Sequence, residues 1–157
     1  MKLKQLGVIF LLGVCVLLGC NTSDDPVHVS VTQVTFVDNG AVVPNPVVTT
    51  VTIKPDSIEY ARSQSGAVIE QWSKQIESSD FDSLRQPIDV YGLFESADVT
   101  LAEGQFPMVG WRGMTITISR TDGSHTITIS GSVSRTQWPQ GIQELVNIKD
   151  ELLEKYQ

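Results

Sequence analysis

The segment MTITISRTDGSHTITISGSV, Met114 to Val133, alternates isoleucine with threonine and serine on both sides of Asp122-Gly123. That is the pattern of two half-buried strands joined by a two-residue turn. With Asp122 and Gly123 in the turn, Ile118 stands opposite Ile127 and Ile116 opposite Ile129, and all four share a face with Met114. The other face carries Thr115, Thr117, Ser119, Thr126, Thr128 and Ser130. A one-residue slip would turn an isoleucine pair to water, so turn length and alternation support each other. The expected turn is type I′, with positive φ at both of its residues.

C-terminal to this hairpin, Pro139 suits a first helical position, and Ile142, Leu145, Val146, Lys149, Leu152, Leu153 and Tyr156 recur at helical spacing. Lys149 is the one polar member of that stripe. The periodicity predicts a helix of about 18 residues, roughly 27 Å long at 1.5 Å per residue, enough to cross a sheet. N-terminal to the hairpin, Ser79 followed by Asp80, Phe81, Asp82 and Leu84 reads as a helix start with acidic residues in its first turn, cut short by Pro87.

Further back, Ser57 to Ile76 predicts a hairpin turning at Ser63-Gln64-Ser65-Gly66, with Ile58, Tyr60 and Ile69 on one face and Glu59 opposite Glu70. Val27 to Val37 and VVTTVTI at 47–53 predict another, turning at Asn39-Gly40. Pro44 and Pro46 must lie at an edge or outside the sheet, since neither can donate to a ladder. The alternation changes phase between Val31 and Val34, which calls for a bulge.

From Ser57 onward the order is hairpin, short helix, loop, hairpin, long helix, a ββα unit used twice. The expected fold class is therefore α+β: a twisted antiparallel sheet built from β-hairpins in ββα-ββα order, packed on the long C-terminal helix and the short middle helix. The Thr/Ser face would be left to solvent.

The front of the chain carries an address. Lys2 and Lys4 precede an apolar run from Leu6 to Leu18, the length of a signal-peptide core and too short for a full membrane crossing. It ends in Leu17-Leu18-Gly19-Cys20, which resembles a bacterial lipobox, the motif of lipoprotein precursors in which the cysteine is acylated and becomes residue one of the mature chain. The resemblance implies lipidation at Cys20 with palmitate-type chains, anchorage to the bacterial cell envelope, and, because Asn21 follows the cysteine, delivery to the outer membrane. The domains expected are a signal peptide at 1–19, a lipidated N-terminus and tether at 20–26 reaching roughly 20 Å, and one α+β domain at 27–157.

Losing residues 1–19 removes two lysines and one cysteine, leaving 9 basic against 18 acidic residues and a formal charge of −9. Nucleic acid is not an expected partner of such a chain. Cys20 is then the remaining cysteine, so the fold must hold by packing without a disulfide. An apolar content of 41% over the whole sequence suffices for one core.

Chemistry-bearing patterns are sparse. His28 and His125 have no second histidine or cysteine at metal-ligand spacing, and no phosphate-cradling glycine loop, G-x-S-x-G elbow or C-x-x-C occurs. No catalytic residue, metal or cofactor is expected, and His125 reads as a solvated group opposite Arg120 at the hairpin tip. A carboxylate-based periplasmic enzyme is the alternative, since carboxylates alone can do acid/base work. The segment Tyr91 to Gly113, YGLFESADVTLAEGQFPMVGWRG, sets Tyr91, Phe94, Phe106, Met108 and Trp111 among glycines and a proline. It reads either as a cap on the end of the core or as a recognition loop in which Phe106, Trp111 and Arg112 bind a partner.

Residues 115–153, a threonine-rich hairpin followed by a proline-led leucine helix, resemble the C-terminal half of emfourin-type inhibitors of thermolysin-like metalloproteases. The resemblance implies a protease inhibitor-like binding module and carries no inhibitory residue over to this chain; the lipid anchor by itself leads to an expected binding or structural role in the envelope, with an envelope protein as the partner.

Overall fold

The computed structural model describes residues 29–103 and 110–157. The expected signal peptide, Cys20 and tether, with His28, Phe106 and Met108, lie outside the described residues. Six strands, β1 (Val31–Asp38), β2 (Val47–Lys54), β3 (Ser57–Gln64), β4 (Ala67–Gln75), β5 (Gly113–Arg120) and β6 (Gly123–Ser130), form one antiparallel sheet in the order β4-β3-β2-β1-β5-β6. Helix α1 (Ser78–Val90) follows β4, and α2 (Gln140–Tyr156) ends the chain. The architecture is α+β.

Both helices pack on one face of the sheet. Val34, Phe36, Val51, Ile53, Ile58, Met114, Ile116, Ile118, Ile127 and Ile129 are buried there against Phe81, Leu84 and Ile88 of α1 and Ile142, Leu145, Val146 and Leu152 of α2. The opposite face is a threonine array, in which the hydroxyls of Thr117 and Thr126 bond at 2.9 Å and those of Thr35 and Thr52 at 3.4 Å. The stripe expected on α2 is the stripe it buries, and Lys149 keeps only 11% of its side chain exposed. Pro139 stands one position earlier than expected, at the N-cap.

Several local expectations are corrected. The central hairpin closes at Arg120–Gly123, so its turn is Thr121-Asp122, and Ile116 faces Ile127, Met114 faces Ile129 and Ile118 faces His125. The register differs from the expected one by two residues, which leaves every side chain on its original face; alternation therefore could not tell the two apart. Arg120 grips Asp122 at 2.7 and 3.1 Å, and neither Thr121 nor Asp122 has positive φ, so the turn is not type I′. The two consecutive positive φ values lie instead at Ser65 (51°) and Gly66 (81°), which join β3 to β4.

In that hairpin Glu59 does not face Glu70. Arg62 faces Glu70 and binds it at 3.0 Å, while Glu59 faces Ser73 and takes Lys54 at 2.6 Å. A bulge at Ile69 shifts the ladder, leaves that residue 52% exposed rather than beside Ile58 and Tyr60, and puts Trp72 there, stacked on Tyr60 at 5.1 Å. The hairpins are also not separate units. β2 pairs with β3 along its whole length, so β1 to β4 form a meander, and β5 adds to the other side of β1.

Asn39-Gly40 opens the longer connection 39–46 rather than a two-residue turn, with Gly40 N–H donating to Asp38 Oδ1 at 2.9 Å. Pro44 and Pro46 lie outside the strands, and the expected phase change is a register shift between Val31 and Gln33 in the β1–β5 ladder. Helix α1 begins at Ser78, has no side-chain cap, and runs through Pro87 to Val90. Proline removes one internal hydrogen bond there; burial of Phe81, Leu84, Pro87 and Ile88 carries the helix past it.

Candidate functional site around Trp111

The end of the long segment after α1 is tied to the connection 39–46. Asn39 N–H donates to Gly113 O at 3.0 Å, Arg112 N–H to Gly40 O at 2.9 Å and Val42 N–H to Gly110 O at 3.0 Å. On its other side the same segment runs close against the end of β6, an approach that glycine makes possible. A Cβ at Gly113, where φ is 101°, would stand 2.2 Å from Ile129 O, and one at Gly131 would stand 2.0 Å from Trp111 O.

Held this way, the half-buried Trp111 lies against Trp138, ring centres 5.9 Å apart and planes 29° apart. Its Nε1–H donates to Asp38 Oδ1 at 2.8 Å, and Trp138, 6% exposed, donates its own to Val133 O at 3.2 Å. Beside the pair opens a hollow of about 370 Å³ lined by Asp38, Trp111, Met114, Val133, Ser134, Arg135, Trp138, Val146, Lys149 and Asp150. Its floor is apolar. On its rim Asp150 receives Lys149 at 2.6 Å and Arg135 at 3.0 Å, and Arg135 also donates to Asn147 at 2.7 Å.

A planar apolar wall beside paired charges suits a ligand with an apolar body and polar edges, such as a side chain offered by another protein. Of the expected site residues, Trp111 lies in the hollow. Arg112 is exposed and turns away to donate to Val43 O at 3.2 Å, and Phe106 is outside the described residues. Trp111 is thus neither a buried cap nor a free contact: it packs against the core and lines an opening. Asp38, Arg135, Trp138 and Asp150 come together only in three dimensions. Lys149 alone left a trace in the sequence, as the polar member of an apolar helical stripe.

His125 is not a solvated tip. It stands opposite Ile118, half-buried, with Nε2 2.8 Å from Ser96 O and its ring 5.9 Å from that of Phe94, which also carries Arg120 at 3.9 Å. A second concavity of about 400 Å³ lies over Thr50, Thr52, Glu59, Ala61, Gln71 and Ser73, and its one carboxylate is occupied by Lys54.

The carboxyl of Asp80 serves the packing of the helices. Burial resists ionisation of Asp80, but hydrogen bonds from Tyr156 and Lys155 outweigh it and hold the carboxyl below its ordinary range. This joins the start of α1 to the end of α2. Among the described residues no group of three His, Cys, Asp or Glu side chains could hold a metal ion, and no helix is long and apolar enough to cross a membrane.

No protein-family model matches the chain, and a search of curated proteins finds no match to it.

Proposed function

We propose that the protein is a lipid-anchored binding module of the bacterial cell envelope, attached through Cys20, probing for an envelope protein with the Trp111–Trp138 hollow. The observation that carries the binding role is that hollow: two tryptophans, the residue type most enriched where interfaces concentrate their energy, line an opening rimmed by charge. The anchor rests on the lipobox, and Asn21 supports the outer membrane as its destination. The likeness of residues 115–153 to emfourin-type inhibitors makes a metalloprotease of the envelope one form that partner could take. In finer detail, β3–β4–α1 and β5–β6–α2 are a ββα arrangement used twice, which here serves as the scaffold carrying the hollow between its second half and β1.

The two parts are tested separately. Cys20→Ser should leave an unprocessed precursor that no longer takes up labelled palmitate; equal labelling of wild type and variant would rule out the anchor. Capture of proteins from envelope extracts by wild type, but not by Arg135→Ala, which removes a charge from the rim and from above the Trp138 ring and is checked for an unchanged melting curve, is the result expected of a binding hollow. Identical capture by both, or capture of nothing, would refute the binding role assigned to it.

A further inference from the structure

The two edges of the sheet are finished differently. β6 is covered by the segment around Val99, whose N–H donates to Thr128 O at 2.9 Å and whose carbonyl accepts from Ser130 N–H at 2.9 Å, while Asp98 Oδ1 takes Thr128 N–H at 2.6 Å. β4 has no such cover among the described residues. It is nine residues long, contains no proline, and exposes every residue but Trp72, with Val68 58% and Ile69 52% exposed. A bare edge of that length is a template for another strand.

The sequence of β4, AVIEQWSKQ, specifies which strand fits. In an antiparallel copy with Trp72 opposite Trp72, Glu70 stands opposite Lys74 of the copy and Lys74 opposite its Glu70, while Gln71 meets Ser73. Glu70, Trp72 and Lys74 share one face by alternation, so both charge pairs fall on the same side and flank the tryptophans. A shift of one or two residues loses both pairs. Lys74 forms no ion pair among the described residues, whereas Glu70 already touches Arg62 at 3.0 Å. The stack of Tyr60 on Trp72, 5.1 Å between centres, would continue across the axis.

We propose that β4 pairs antiparallel with β4 of a second copy, joining two sheets into one about a two-fold axis at Trp72. The interface is isologous, as closed dimers require. It is independent of the Trp111 hollow and of the lipid anchor.

Disulfide cross-linking reads the register directly. The sequence has cysteines only at 15 and 20, so new ones in β4 report on β4. Full-length chains carrying Gln71→Cys or Ser73→Cys, differently tagged, are co-expressed and oxidised in native membranes. Facing residues of an antiparallel pair lie about 4.5–5.5 Å apart at Cα, within bridging range, while like-to-like pairs are offset along the strands and are not. Mixed dimers should exceed like dimers at least about fivefold. Adding Lys74→Glu sets two like-charge contacts in place of two attractive ones and should cut the mixed product roughly tenfold, and adding Glu70→Lys as well should restore it. Equal mixed and like products, no product, or indifference to Lys74→Glu would overturn the proposal. Should a cysteine variant fail to fold, sedimentation of detergent-solubilised wild type against Lys74→Glu answers the same question: a monomeric wild type refutes it.

Discussion

Replacing Trp111 separates what its ring contributes from what its N–H contributes. Trp111→Phe keeps a ring against Trp138 but deletes the donor 2.8 Å from Asp38 Oδ1. A hydrogen bond to a charged group is worth about 1.5–3 kcal/mol. Asp38 is half-buried and keeps Gly40 N–H at 2.9 Å, so the low end applies, about 1.5 kcal/mol. Trp111→Ala removes the ring as well. Full burial would make that about 3–5 kcal/mol, and half-burial reduces the total to about 3 kcal/mol. At roughly 3–4 °C per kcal/mol for a domain of this size, melting followed by circular dichroism should fall by about 5 °C for Phe and about 10 °C for Ala. A fall below about 3 °C for Ala would mean that the packing on Trp138 does not stabilise the fold. Equal falls for Phe and Ala would assign the whole effect to the Asp38 bond.

Two glycines with positive φ should respond differently. Gly66→Ala meets no atom within 4 Å and should lower stability only by its backbone cost, about 1 kcal/mol, whereas Gly113→Ala drives a methyl onto Ile129 O and should cost several times more; equal denaturation midpoints would refute the contrast. Asp80 links stability to pH. Its folded pKa lies below the ordinary 3.8, so its contribution is present above that value and is lost as pH falls through the folded one. The melting difference between wild type and Asp80→Asn should therefore be largest near neutrality and shrink below about pH 3.8, and a difference unchanged at pH 3 would show that the ion pair with Lys155 is not the cause.

The sequence by itself determined the class of fold, the face each strand of the central hairpin turns inward, and the buried stripe of α2. Those properties depend on period alone: two residues for a strand and 3.6 for a helix, read directly from where Ile, Thr and Leu recur. It also showed the need for a bulge near Val31 and confined Pro44 and Pro46 to an edge or to the outside of the sheet, because both follow from local geometry. Registers were less legible. A shift of two residues preserves every facing, so the choice at Arg120–Gly123 rested on interactions such as the grip of Arg120 on Asp122; between β3 and β4 the tighter turn at Ser65-Gly66 and the bulge at Ile69 together moved Glu70 from Glu59 to Arg62. Helix α1 outran its proline because burial of its apolar face, which a local reading cannot weigh, exceeds the loss of one hydrogen bond. The hollow was decided by tertiary structure almost entirely. Asp38, Trp111 and Trp138 sit far apart in the chain and meet only because β5 adds to β1 and α2 folds back over both; no periodicity encodes a neighbour that arrives from another element.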